Sequence, residues 1–431
     1  MLIFGCVGAW VYTELMRVPT SRLGGEETYA EMPPDARHYY VDLPLVHGEP
    51  ERGSYRAFYI LSPGFDPSAG PVVFFVTDGQ MELVGLHPDF AWFDHYLGGL
   101  SYVLIGHRGH TPTLFPEVFD SDGNLDHAAA MRLYGSQQQI EDIEKIRLDM
   151  ESKRLLPRSG KIGMYGASGA GILVQQYVAR YGHNVERLAL EVTGAPDLSR
   201  ESEQLFSPPL GDVCPRASSS LSASRAWDDE PKRAAFAYLL YQVARKSPRP
   251  CQELSEVIQE FVDDDGAPSL LFAPPERNIS LAQLLLRSPA AAASRVRMFE
   301  LLGHDLVRAR WREGGAHLLY SWSEEVLEDF LLSHGEGKIQ TFEFAIGRGN
   351  YRGEVLVLAG AEDVVFSRES SRRVRQSYSN SLMLVLDGGH SERAAPSLQR
   401  ELRGEFFKVG LEGEGFSRAL DLAQSAGALV E

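Results

Sequence analysis

The chain has few cysteines, little positive charge and no long apolar run. Its 431 residues contain only Cys6, Cys214 and Cys251. None of these forms a C-x-x-C pair, which argues against a cysteine-built zinc site. Cys214 and Cys251 fall in the same middle region. They can form one disulfide in an exported protein or stand as two semi-buried thiols, and the sequence leaves both readings open. Basic residues are outnumbered, 42 Lys+Arg against 59 Asp+Glu, for a net charge of −17. Such a surface repels nucleic acid and anionic membrane, which argues against both as partners. Neither G-x-G-x-x-G nor G-K-[ST] occurs, so a phosphate-cradling loop for a nucleotide is not indicated and no cofactor is implied.

The apolar start at 1–12 (MLIFGCVGAWVY) is too short to span a bilayer as a helix, which takes about 20 residues. It also lacks a basic leader. Three readings stand: a clipped signal peptide, the tail of a lipoprotein-type site ending at Cys6, or a hydrophobic start packed on the body. Export is compatible with the first two, and a cytoplasmic location with the third. Residues 13–37 are polar, contain Pro33 and Pro34, and read with the apolar start as a leading segment and linker.

Strand signals then follow closely. His38–Val46 and Ser54–Leu61 are rich in aromatic and β-branched residues around a Gly-Glu-Pro-Glu-Arg-Gly turn, and predict an antiparallel opening hairpin. Val72–Val76, Tyr102–Ile105, Lys161–Tyr165 and Leu188–Val192 are short continuous apolar runs. Strands of a parallel sheet covered on both faces have this character. Charged helical patterns separate them, notably at 135–155, and alternation of this kind predicts a doubly wound α/β sheet. The alternation stops between Pro196 and Asn350, where helical stretches dominate. It resumes with strands at Glu354–Leu358 and Leu382–Leu386, and helices near 367–378 and 396–407. The expected organisation is a core at 38–195 and 351–410, a helical cap at 196–350 over the strand C-termini, and a tail at 411–431.

The chemistry concentrates at Gly166-Ala167-Ser168-Gly169-Ala170-Gly171, which follows a buried strand and opens a helix. A serine on such a sharp turn projects its hydroxyl above the sheet, and its neighbours two before and two after must be small. Gly166 and Ala170 meet that demand. The helix N-terminus adds a positive dipole where an oxyanion would develop. Asp363 follows one later strand and His390 follows the next, giving the chain order Ser, Asp, His. In such a set His390 takes the serine proton, while Asp363 orients the imidazole and stabilises its cation. Glu362 is the alternative acid. The N–H of Gly169 is one candidate oxyanion donor. Gly79 or Gln80, in Thr77-Asp78-Gly79-Gln80-Met81, is the candidate for the second.

Over most of 40–196 and 352–408 the chain resembles the prolyl and tripeptidyl aminopeptidase group of α/β-hydrolases. The likeness is carried by "VLIGHRGHT", "YGSQQQIEDIEKIR", "MYGASGAGILVQQYVARYG", "GAEDVV" and "LDGGHS". It implies the α/β-hydrolase fold, a triad of Ser168, Asp363 and His390, and a structural loop at Arg108 and Gly109. It also implies an aminopeptidase-like activity on short peptides. Two departures bear on specificity. Thr77–Met81 replaces the group's His-Gly-Gly-Pro-Gly, and Gly169 replaces the aromatic that usually follows the nucleophile. A carboxylesterase with the same triad, or a catalytically silent binding protein on this fold, are the alternatives.

Other residues have simpler readings. His107 and His110 lack a third ligand, so no metal is expected. Glu324, Glu325 and the acidic run at 263–265 could meet a substrate α-amino group, but such charges usually face water. Trp227, Phe236, Tyr238 and Tyr241 are candidates for an apolar pocket or for the core of the cap.

Overall fold

A computed structural model describes residues 16–22, 32, 35–78, 80, 83–110, 113–224, 227, 230–263, 284–313, 315–391 and 395–430. Cys6, Gly79, Asp264 and Asp265 lie outside the described residues, as does the apolar start.

Eight strands form one sheet in the order β1-β2-β4-β3-β5-β6-β7-β8. They are β1 His38–Pro44, β2 Ser54–Leu61, β3 Val72–Val76, β4 Ser101–Ile105, β5 Ile162–Ala167, β6 Val185–Glu191, β7 Glu354–Gly360 and β8 Ser381–Leu386. β1 pairs antiparallel with β2, and β2 antiparallel with β4. All other pairs are parallel. The expected hairpin and doubly wound sheet are therefore both present.

Alternate residues of each strand enter opposite cores, as the two-residue period of a strand requires. Phe74, Met164, Leu188 and Val357 face one core; Phe75, Tyr165, Ala189 and Leu358 face the other. Among the described residues the helices in chain order are α1 Phe90–Leu97, α2 His127–Tyr134, α3 Ser136–Ser152 and α4 Gly169–Tyr181. Then come α5 Pro196–Glu201, α6 Leu210–Val213, α7 Pro215–Ser222, α8 Glu230–Lys246, α9 Pro250–Asp263, α10 Ala292–Arg308, α11 Leu318–Val326 and α12 Glu328–Gly335. The last three are α13 Arg368–Gln376, α14 Pro396–Val409 and α15 Glu414–Ser425. Helices α3, α4 and α13 bury residues in the first core, and α1, α14 and α15 bury residues in the second.

Two segments are more structured than the sequence suggests. The stretch after β3 contains α1, whose start is capped by Asp89 accepting from Ala91 N–H. The segment read as a tail contains α15, which buries Phe416, Ala419 and Ala423. Leu429 beyond it bridges Leu386 at the sheet edge.

Between β6 and β7 the described secondary-structure elements are all helices. A disulfide joins Cys214, at the start of α7, to Cys251, in the first turn of α9. Among the described residues no helix is long and apolar enough to cross a membrane.

Candidate active site

Ser168 stands between β5 and α4 with φ 56° and ψ −131°. Left-handed φ is costly for a residue with a Cβ and persists only where the surroundings enforce it. Here the Ser168 N–H donates to Glu191 O at 2.9 Å, and its carbonyl accepts from Gly171 N–H at 3.0 Å and from Thr193 Oγ1 at 2.7 Å. The small neighbours have identifiable reasons. A Cβ on Gly166 would lie 2.8 Å from the Ala170 carbonyl oxygen. One on Gly171 would lie 2.4 Å from Thr193 Oγ1. The glycine demand that is often placed two residues after the serine is thus met one residue later, and Ala170 fits.

The structure brings Ser168, His390 and Asp363 together. His390 Nε2 lies 3.0 Å from Ser168 Oγ, and Nδ1 lies 3.1 and 3.0 Å from the two oxygens of Asp363. An ionised carboxylate only accepts, so Nδ1 carries the hydrogen and Nε2 is left to accept from the serine. Asp363 is itself held: its Oδ1 accepts from Val365 N–H at 2.8 Å and Phe366 N–H at 3.1 Å. Glu362, the alternative acid, points elsewhere, and its Oε2 accepts from Cys251 N–H at 3.1 Å.

The loop after β3 departs from the expected arrangement. The Gln80 N–H, a candidate oxyanion donor, donates to Asp78 Oδ1 at 3.1 Å, and Gln80 Nε2 donates to Asp78 Oδ2 at 2.6 Å. This pair fills the space above Gly169, where a Cβ would stand 1.9 Å from Asp78 Oδ2 and 2.5 Å from Gln80 Nε2. The two departures from the resembled family are therefore one feature. An aromatic after Ser168 has no room because Asp78 and Gln80 occupy it.

Behind this loop His107 is buried beside Thr77, and burial lowers its pKa to about 3, so it is neutral near pH 7. Arg108 is buried too. It forms a bidentate pair with Asp142 of α3, at 2.6 Å for each bond, and donates to the carbonyls of Leu45 and Leu133. Gly109 has φ 78° and faces Tyr134 and Ala293. The expected structural loop is thus the hub joining β4, α3 and the opening hairpin.

Ser168 and His390 open into a cavity of about 470 Å³. Phe75, Trp92, Tyr96, Phe206, Met298 and Trp322 give it mainly apolar walls. Tyr238 and Tyr241 line it, whereas Phe236 is core and Trp227 packs against the core. Burial raises the Tyr241 phenol above its ordinary pKa, so it stays uncharged. Asp78 is the one acidic side chain among the described lining residues; Arg245 and Lys246 are basic. Glu324 pairs with Arg312 at 2.7 Å, and neither it nor Glu325 lines the cavity. Trp92 and Tyr96 were not singled out from sequence. Their i, i+4 spacing behind the Asp89 cap was the available signal.

A second serine–histidine–aspartate contact shows what the first adds. His127 lies 2.9 Å from Ser333 Oγ and 3.0 Å from Asp329 Oδ2. Ser333 is buried inside α12 and is not among the residues lining the cavity. This contact ties α2 to α12 and lacks the strained turn and open helix N-terminus of Ser168.

The strand order, the antiparallel start and the serine-bearing turn after β5 define the α/β-hydrolase fold. No family model and no curated protein matches the chain. Among solved structures it is similar to a serine hydrolase from Cycloclasticus zankles, at 11% identity over 86% of this chain and 98% of that one, TM-score 0.41. It is similar to 2-hydroxy-6-oxo-6-phenylhexa-2,4-dienoate hydrolase from Rhodococcus sp. strain RHA1, at 12% identity over 91% and 99%, TM-score 0.38. An esterase from Exiguobacterium antarcticum gives 14% identity over 86% and 96%, TM-score 0.36.

Proposed function

We propose that the protein is a serine hydrolase acting through Ser168, His390 and Asp363. The observation that carries the reading is the Ser168 Oγ to His390 Nε2 contact of 3.0 Å at the floor of an apolar cavity. His390 removes the serine proton as Oγ attacks a carbonyl carbon. The negative charge that develops on the carbonyl oxygen meets the dipole of α4 and the Gly169 N–H. His390 then protonates the leaving group, whose departure gives an acyl-enzyme. Water enters and attacks the acyl carbon, giving a proton to His390, which passes it to Ser168 Oγ as the acid departs. Asp363 holds the imidazole tautomer throughout.

The helices between β6 and β7 serve as the cap in this reading. They supply Tyr238, Tyr241, Met298 and Trp322 to the cavity and restrict substrates to small molecules. These walls favour carboxylic esters with apolar substituents, because an apolar lining gains from burying hydrocarbon and offers little to a peptide backbone. A second reading, short peptides with a free α-amino group, draws support from Asp78 inside the cavity. The experiment is direct. A fluorophosphonate probe should label wild type and leave Ser168→Ala unlabelled; no labelling of folded wild type would mean a silent binding protein. p-Nitrophenyl esters assayed beside aminoacyl arylamides separate the two substrates, and rapid ester turnover without arylamide cleavage rejects the peptidase.

A further inference from the structure

We propose that Arg297, on α10 far from the triad in sequence, is a positioning residue that fixes the backbone of the nucleophile turn. The inference rests on Ser168 being the nucleophile. Arg297 is fully buried, as is its partner Glu300 one turn further along α10. Arg297 Nη2 donates to the Gly169 carbonyl at 3.2 Å, and Nη1 donates to Glu300 Oε2 at 2.9 Å. Glu300 Oε1 accepts from the Ser136 N–H at 2.9 Å and from its hydroxyl at 3.2 Å. Ser136 Oγ in turn accepts from Gln176 Nε2 at 3.0 Å. Gln176 lies on α4, the helix that Gly169 opens. The chain of bonds therefore leaves α4 at its first residue, passes through α10 and the start of α3, and returns to α4 two turns later.

The need for such a brace follows from Gly169 itself. Asp78 and Gln80 exclude any side chain there, so the residue after the nucleophile must be the one with the least restricted backbone. Its N–H and its carbonyl sit in adjacent peptide planes hinged at one Cα. Holding the carbonyl narrows the range of the N–H that faces the developing oxyanion. A guanidinium suits this task because one rigid fork reaches both the carbonyl and Glu300.

Removing Arg297 alone would strand the buried Glu300 charge, so the test removes both charges together. In Arg297→Met/Glu300→Gln, a p-nitrophenyl ester assay should show kcat reduced by about 10- to 100-fold with KM within about threefold of wild type. Fluorophosphonate labelling of Ser168 should slow in parallel. Arg297→Lys keeps the positive charge but cannot span both acceptors, and should lose about 3- to 10-fold in kcat at unchanged KM. Thermal melting establishes which variants are folded, and Arg297→Lys decides the matter if the double variant is not. Wild-type kcat in either folded variant, or a loss carried by KM, overturns the proposal. Failure of wild type to label or turn over overturns the serine hydrolase reading instead.

Discussion

Replacing Gly169 with alanine should cost both stability and activity, and most of the cost should disappear when Asp78 is removed. A Cβ at this position would stand 1.9 Å from Asp78 Oδ2, 2.5 Å from Gln80 Nε2 and 3.0 Å from Asp78 Cγ. The carboxylate must therefore retreat by more than an ångström, which breaks the 2.6 Å and 3.1 Å bonds it accepts from Gln80. Hydrogen bonds to a charged group contribute about 1.5–3 kcal/mol each. Asp78 is only part-buried, so water recovers some of that, and about 2 kcal/mol is expected for the pair. The displaced pair packs directly on Gly169, whose N–H faces the developing oxyanion in the proposed mechanism, so kcat should fall by roughly tenfold or more. In an Asp78→Ala background the same Cβ meets less, and Gly169→Ala should cost under about 1 kcal/mol, helped by alanine's helix propensity. Urea denaturation of the four proteins gives the coupling energy, expected at about 1–2 kcal/mol. A coupling near zero, with Gly169→Ala equally harmful in both backgrounds, would show that the glycine is required for another reason.

Asp363→Asn should keep the fold and reduce kcat on an ester by about 10⁴-fold, since the amide favours the wrong imidazole tautomer; steady-state kinetics on purified variant measures it. His107 has a folded pKa of about 3 against an ordinary value of 6.5. The unfolded chain binds its proton first, so the stability tied to neutral His107 is complete above pH 6.5 and is lost as pH falls towards 3. The loss approaches about 1.4 kcal/mol per pH unit inside that window. Urea titrations of wild type and His107→Gln between pH 7 and pH 4 should show a shallower acid-side slope in the variant. Replacing Cys214 and Cys251 by serine opens a loop with sequence separation 37. Loop-closure entropy puts the loss near 4 kcal/mol, to be read from melting curves of the variant against oxidised wild type.

The parts of this structure that were legible in the sequence are the local ones. A strand buried on both faces must be a continuous apolar run, so the ends of β5, β7 and β8 could be located, and with them Ser168, Asp363 and His390. Smallness around Ser168 was readable because it answers a clash within the same turn. The choice between Glu362 and Asp363 was harder, since one residue of register decides it and the N–H that engages Glu362 belongs to Cys251, more than a hundred positions away. Gly169 was read as a departure, because its reason lies in a side-chain pair after another strand. Helix α15 was missed although Phe416, Ala419 and Ala423 carry the i, i+3, i+7 spacing of a buried face. Arg297 and Glu300 are an i, i+3 charge pair, a pattern that helix surfaces also carry, and only packing shows them to be internal.

The segment between β6 and β7 braces the three turns that carry Ser168, Asp363 and His390, two through backbone groups and one through the Glu362 side chain. Arg297 reaches the Gly169 carbonyl, the Cys251 N–H engages Glu362, and the Arg245 carbonyl accepts from Ser391 N–H at 3.0 Å. Segments in this position are attractive units for recombination, because exchanging one promises a new pocket on an old engine. In this chain the exchange would carry away supports for all three loops at once. A foreign segment would have to bring its own donor for the Gly169 carbonyl and its own acceptor for the Ser391 N–H. Without them the hybrid would keep its sheet, its serine and its histidine, yet leave them out of line.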